Sequence, residues 1–290
     1  MKNKIAITVS LLLILSCLAG CAPGGDEPMP SATMEAPTET ITAEPVPTDA
    51  AVSATTQPET EAPTEVATEE TQPFTVEIIP VITEAQTQVT VTTVDEFLAA
   101  IAPNTEIILD AALIDLSEAT GYGETDGEYY YWYESFDGPE LHIYNVSNLT
   151  IRGSGETHGV NVVSSVPRYA HVLAFENCSN IHTVGFTAGH TKESGSCTGG
   201  VLLFLNSQDI LVEDCGLFGC GTVGVTGMSS KNMQLVNNEI YECSIGGVEL
   251  TNCYGVNVDG NTFRDLGGPV FRIYDCENIT CNGEPAVPFQ

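Results

Sequence analysis

Residues Cys243 to Asp265 read CSIGGVELTNCYGVNVDGNTFRD. The preceding stretch, Cys220 to Glu242, reads CGTVGVTGMSSKNMQLVNNEIYE. The two have the same length and nearly the same succession of apolar, glycine and amide positions. A chain that writes itself twice at a fixed period builds stacked units. Aligning the phrases around Asn148, Asn180, Asp209, Asn232, Gly255 and Asn278 gives intervals of 32, 29, 23, 23 and 23 residues. The period settles at 23, so the two longer intervals place loop insertions early in the stack, over Ser154–Ala170 and Thr187–Ser196.

The columns of this alignment are chemically consistent. One collects Leu149, Ile181, Ile210, Met233, Val256 and Ile279. Two residues on stand Ile151, Thr183, Val212, Leu235, Val258 and Cys281. A third apolar column holds Leu173, Leu202, Val225, Val248 and Phe271. Within each repeat the alternation has period two and is broken by Gly and Asn, which suits short strands and excludes helices. A strand stacked on its own copy one turn later packs like on like, because parallel strands lie about 4.7–4.9 Å apart. The fold class is therefore all-β: a single-stranded right-handed parallel β-helix of about 23 residues per turn. Thr93-Val94-Asp95-Glu96 forms a capping box, with Phe97, Leu98 and Ile101 on one face of a short N-terminal capping helix.

Phrases such as Gly247-Val248-Glu249-Leu250 and Val256-Asn257-Val258-Asp259-Gly260-Asn261-Thr262-Phe263 resemble the right-handed parallel β-helix repeat proteins, the pectate-lyase-like superfamily, over residues 91–290. That resemblance specifies a fold that hosts lyases, hydrolases, adhesins and scaffolds, so activity has to be argued from a site. The family's pectate lyases use clustered aspartates for calcium, and its polygalacturonases use several close aspartates. No outward aspartate cluster of either kind stands out in this sequence.

The rest of the chain is of different material. Lys2 and Lys4 precede an apolar run from Ile5 to Leu15, followed by Leu18-Ala19-Gly20-Cys21. The run is too short to span a membrane and has the order of a signal peptide. Leu-Ala-Gly-Cys resembles the lipobox of bacterial lipoproteins, which implies lipidation at Cys21. Residues 22–88 are dominated by Thr, Pro, Glu and Ala, a composition that cannot bury enough apolar surface to offset its ordering entropy. Three segments are expected: a signal peptide with lipobox over 1–21, a disordered stalk over 22–88 and a β-helix domain over 89–290. The expected location is extracytoplasmic, anchored to the bacterial cell membrane through lipid on Cys21.

The chain carries a formal net charge of −31. Its β-helix domain holds 26 acidic against 6 basic residues. Such a surface repels nucleic acid and other polyanions. All five histidines fall between His142 and His190, close to the two insertions and to the run Tyr129-Tyr130-Tyr131-Trp132-Tyr133. Insertions on a regular cylinder are where solenoids carry binding surfaces. Tyr131, Trp132, Arg168 and His171 are the candidates for contacting a glycan ligand, since aromatic faces beside polar groups suit sugar rings. His190, Lys192 and Glu193, on the segment Gly189–Cys197, are the candidates for acid–base chemistry. The alternative is that the aromatics are cap packing and the histidines are solvated loop residues. No cofactor and no metal site is implied.

Eight cysteines lie in the domain. Cys197, Cys220 and Cys243 share one column; Cys178, Cys253 and Cys276 share another, with Ser207 and Ser230 between them. Zinc, disulfides and buried free thiols compete here, and serine in the intervening turns favours a column of small packing residues. The column Asn145, Asn177, Asn206, Ser229, Asn252 and Asp275 lies at a turn, where stacked amides are expected to form a ladder. The tail after Gly283 is short for covering the exposed strand edge; either its prolines block further pairing or another chain covers the end of the coil. Three functions remain: a surface lipoprotein whose β-helix binds a polysaccharide, a non-catalytic adhesin or envelope scaffold, and a glycoside hydrolase or polysaccharide lyase.

Overall fold

The structure is a computed structural model and describes residues 86–167, 169–190, 199–219 and 223–286. Three sheets form the walls of a coil. In chain order the first contains Thr87–Val91, Thr105–Leu109, Ser147–Gly153, Ser179–Val184, Gln208–Glu213, Lys231–Val236, Tyr254–Asp259 and Glu277–Cys281. The second contains Leu113–Asp115, Val162–Ser165, Thr187–His190, Gly216–Phe218, Glu239–Tyr241 and Thr262–Arg264. The third contains Pro139–Tyr144, Leu173–Glu176, Leu202–Leu205, Val223–Met228, Gly246–Thr251 and Phe271–Tyr274. From Ser147 onward the chain visits first, second and third sheet in rotation, and each of these strands pairs in parallel with its counterpart one turn away.

The register is the one the repeat dictates. Ile210 pairs with Met233, Met233 with Val256 and Val256 with Ile279. The columns headed by Leu149, Ile151 and Leu173 line a continuous apolar interior. Burial loosens only at the last turn, where Phe271 and Cys281 have no further turn to lie under and are half-buried. The helix Val94–Ala100 closes the first end, with the Thr93–Glu96 capping box formed and Phe97 and Leu98 buried. Tyr130–Glu134 adds an antiparallel strand to the first edge of the third sheet, against Pro139–Tyr144. At the far end Glu284–Pro285 folds back on Thr280 and Cys281.

Two sequence expectations change. Each proposed insertion contains a regular strand: Val162–Ser165 in the first and Thr187–His190 in the second. Their short, small-residue sequences hide the alternation. The Asn145 column is also not an amide ladder. Its six members have φ between 49° and 55°, the left-handed conformation that Asn, Asp and Ser tolerate better than larger residues. Turns are stitched there by backbone bonds, such as Asn177 N to the carbonyl of Leu205 and Asn206 N to that of Met228. The side-chain ladders stand elsewhere. Asn148 Nδ2 donates to Asn104 Oδ1 at 2.9 Å, and Asn180 Nδ2 to Asn148 Oδ1 at 3.0 Å. Asn238 Nδ2 donates to Asn261 Oδ1 at 2.9 Å.

The cysteine–serine column is a hydrogen-bonded interior corner. Ser207 Oγ accepts from Cys178 N at 3.0 Å, Ser230 Oγ from Ser207 N at 3.1 Å, and Cys276 Sγ from Cys253 N at 3.2 Å. Cys178, Cys215, Cys243, Cys253, Cys276 and Cys281 are free thiols. Cys197 and Cys220 lie outside the described residues, as do Cys21 and the rest of residues 1–85.

Candidate functional site

Successive residues of a strand point to opposite sides, and this rule separates two of the aromatic candidates. In Tyr130–Glu134, Trp132 lies edge-on to Tyr122 with centroids 4.9 Å apart, and 6.4 Å from Tyr130. All three pack on the core cluster. Trp132 therefore belongs to the end cap. Tyr131 and Tyr133 face the other way, their centroids 4.9 and 5.5 Å from the ring of His142. Here the alternative of cap packing describes half of the aromatic run and surface aromatics the other half.

The outer face of the third sheet carries two rows. One runs His142, Ala174, Leu203, Thr226, Glu249 and Arg272; the other runs Tyr144, Glu176, Leu205, Met228, Thr251 and Tyr274. The first turns of this face, with Glu140 and His171, hold a polar network. Glu140 is 5% exposed. Its Oε1 lies 2.9 Å from His142 Nε2 and 3.2 Å from His171 Nδ1, and its Oε2 accepts from His171 N at 2.8 Å. On the opposite side of His142, Tyr131 O–H donates to Glu176 Oε2 at 2.5 Å and lies 3.1 Å from His142 Nδ1.

The electrostatics follow from these contacts. Burial pushes the Glu140 carboxyl upward, but hydrogen bonds from His142 and His171 outweigh it and bring its pKa down to about 2. Burial and the bond to Glu176 raise the Tyr131 phenol well above its ordinary value, so it stays a hydrogen-bond donor. Glu140 is fully engaged and acts as an anchor. The groups left to meet a ligand are Glu176, whose side chain is 25% exposed, the His171 ring edge, and the exposed Tyr133. Beyond them the two rows continue as Ala174, Leu203, Leu205 and Met228.

Glycine shapes the rim of this site. A Cβ on Gly200 would stand 2.9 Å from the Val223 carbonyl oxygen and 3.0 Å from Cδ2 of His171. One on Gly199 would meet the carbonyl of Ala170 at 2.0 Å. Bare backbone thus lets the chain at 199–200 lie flat against the segment carrying His171.

The remaining candidates lie apart from the network or outside what is described. His190 is not on a solvated loop: it ends a strand of the second sheet, level with Ser165, and is 2% exposed. Its Nε2 lies 3.3 Å from the Gly200 carbonyl, and burial lowers its pKa. His158 contacts Glu239 at 3.2 Å on the second sheet, and His182 lies on the first. Arg168, Lys192 and Glu193 are outside the described residues. Among the described residues no group of three His, Cys, Asp or Glu side chains is arranged to hold a metal ion. A depression of about 310 Å³, lined by Ile245, Pro269, Arg272, Ile273 and Tyr274, lies on the last turns, away from the network. Glu176 and Gly200 escaped the sequence reading. Glu176 could have been found by register, since it stands beside Tyr144 once Leu173 is placed in its column.

The family model described as "Right handed beta helix region" matches residues 137–284. No curated protein matches the chain. Among solved structures, that of a candidate glycosyl hydrolase from Parabacteroides merdae ATCC 43184 is similar at 10% identity with a TM-score of 0.38. The match covers 68% of this chain and 99% of that one.

Proposed function

Because the chain belongs to the right-handed β-helix family, we propose that its function sits on a wall of the coil, as binding of a neutral or weakly charged polysaccharide to the outer face of the third sheet. One observation carries this reading: Tyr131 and Tyr133 stand on that face beside His171 and Glu176, with the half-buried Leu205 and the exposed Met228 further along it. Flat rings stack on the apolar faces of pyranose units, while the imidazole, phenol and carboxylate at their edge hydrogen-bond to hydroxyls. The excess of acidic residues in the domain disfavours polyanionic ligands. The domain is held at an extracytoplasmic membrane surface by lipid on Cys21.

A glycan array probed with the wild-type chain and with Tyr133→Ala tests this. The expected result is binding to a limited set of neutral glycans, lost in the variant. Absence of glycan binding, together with recovery of an envelope protein in a pull-down, would put the adhesin or scaffold function in its place. Release of oligosaccharide that stops in Glu176→Gln would make the protein an enzyme. Incorporation of labelled palmitate that stops in Cys21→Ala tests the anchor.

A further inference from the structure

A two-residue turn closes the hairpin at the first edge of the third sheet. Ser135 N and Ser135 Oγ both donate to the Gly138 carbonyl, at 3.0 and 2.6 Å, which leaves Phe136 and Asp137 at the tip. Turn tips are dominated by Gly, Pro, Asn, Asp and Ser, each for a local conformational reason. Phe136 has no such reason, and it is 85% exposed, the most of any large apolar side chain among the described residues. It does not stand alone. The ring of Tyr169 meets it with centroids 4.9 Å apart and planes at 58°. Tyr133, also exposed, stands on the outer face three residues before it. Single exposed apolar residues are ordinary, whereas several gathered at one place mark a contact surface.

The tip is tied to the segment that carries His171. Asp137 Oδ1 accepts from Tyr169 N at 3.0 Å. Three residues on, Glu140 Oε2 accepts from His171 N. Two carboxylates of the hairpin thus hold two backbone nitrogens of the neighbouring segment, and Tyr169 and His171 stand two residues apart between them. Gly138 lets the pieces approach. Its φ is 149°, and a Cβ there would stand 2.8 Å from Cγ of Pro167. The pair Phe136–Tyr169 is therefore positioned by backbone contacts and adjoins the network of Glu140, His142 and His171.

We infer that Phe136 and Tyr169 form a second sugar-contacting subsite, so that the ligand of this face is the interior of a polysaccharide chain lying along the hairpin, not a single sugar or a chain end. The inference rests on the glycan-binding function proposed above and extends it. Tyr131 and Phe136 are five residues apart, up to about 17 Å of strand at about 3.4 Å per residue, which is longer than one pyranose ring. Tyr133 and Phe136 are both exposed, so the aromatic track is open along its length and a polymer can run on past the tip. Glu134 and Asp137, both exposed, set a carboxylate on either side of Phe136. Carboxylates accept hydrogen bonds from sugar hydroxyls. They also repel polyanions, and they make the tip costly to sink into lipid. Rings held in place before binding lose little freedom when a chain settles on them.

The test titrates the full chain with neutral gluco-, manno-, xylo- and galacto-oligosaccharides, as disaccharides and as hexasaccharides. The wild type is expected to bind at least one hexasaccharide about tenfold more tightly than its disaccharide. Phe136→Ala and Tyr169→Ala remove that preference and leave disaccharide affinity unchanged; Phe136→Tyr keeps it; Tyr133→Ala weakens both lengths. Binding by the wild type without dependence on length, or a hexasaccharide affinity unchanged in Phe136→Ala, overturns the second subsite and leaves the platform at Tyr133 standing. No binding of any of these sugars overturns both. Binding to vesicles of neutral phosphatidylcholine that is lost in Phe136→Ala assigns the tip to a membrane and overturns the proposal.

Discussion

His171 is tied twice to Glu140: its backbone nitrogen donates to Oε2 at 2.8 Å, and its ring Nδ1 lies 3.2 Å from Oε1. One carboxylate therefore fixes both the main chain and the side chain of a residue at the mouth of the proposed site, while also holding His142.

This linkage sets a pH dependence of stability. The folded-state pKa of Glu140 lies at about 2, below its ordinary 4.5. A depressed carboxyl stabilises the fold fully above the unfolded value, and the contribution is lost as pH falls from about 4.5 through about 2. The shift corresponds to about 3 kcal/mol at neutral pH. Urea unfolding of wild type and Glu140→Gln between pH 2 and 7 measures it. The expected gap is about 3 kcal/mol at pH 6, narrowing steadily below pH 4.5; a gap independent of pH would contradict the assignment.

Neighbouring aromatics separate stability from binding. Trp132 packs on Tyr122 and the core end, so Trp132→Ala costs about 2–3 kcal/mol, less than a fully buried tryptophan would. Glycan binding per folded molecule is retained. Tyr133 is 54% exposed, so Tyr133→Ala changes stability by no more than about 0.5 kcal/mol and lowers glycan affinity about tenfold or more. Thermal unfolding and a binding titration on both variants check the contrast.

Gly200→Ala tests how the rim positions His171. The added Cβ meets a backbone carbonyl at 2.9 Å and the imidazole at 3.0 Å, and the carbonyl cannot rotate away as a side chain could. The expected cost is about 1–2 kcal/mol. The His171 ring resonance shifts while that of His158, in a turn beside Glu239 of the second sheet, does not.

Much of this architecture is legible in the sequence because a coil repeats its chemistry at a fixed interval. Ile210, Met233, Val256 and Ile279 announce one another, and so do Glu249 and Arg272, which form an ion pair at 3.2 Å. The site is less legible for the same reason. It lies on the early turns, where Tyr131 and Glu176 are 45 residues apart and come together only through a hairpin added to the sheet edge. Trp132 looked like a binding residue because one residue of strand offset decides which face a ring takes, and composition is silent on offset. Val162–Ser165 and Thr187–His190 hide as strands because each is only four residues long and neither Val-Val-Ser-Ser nor Thr-Ala-Gly-His shows an alternation of large apolar and polar residues.

The cysteines should sort by burial. Burial pushes the thiols of Cys215 and Cys243 up to about 12, and those of Cys178 and Cys253 up to about 11. An alkylating reagent at pH 8 acts on thiolate that it can reach. Native protein is expected to be modified at Cys276 and Cys281, the half-buried pair on the last turn. Cys178, Cys215, Cys243 and Cys253 react only after denaturation. Mass spectrometry of the peptides reads this directly, and fast native labelling of Cys215 would contradict the packing of the core.

Asparagines at two corners should respond differently to the same change. Asn252 is exposed with φ of 53°, and its backbone nitrogen, not its side chain, reaches the carbonyl of Tyr274. Glycine adopts that φ without strain, so Asn252→Gly should alter stability by less than about 0.5 kcal/mol, while Asn252→Val costs about 1–2 kcal/mol. Asn238 is 1% exposed. Its Nδ2 donates to the carbonyl of Val212 and to Asn261 Oδ1, each at 2.9 Å, and its Oδ1 accepts from Cys215 N at 2.9 Å. Asn238→Gly strands buried partners on both neighbouring turns and should cost about 3 kcal/mol. Chemical denaturation of the three variants decides whether one corner is held by its backbone conformation and the other by its side chain. Equal costs for the two glycine substitutions would mean that this division is wrong.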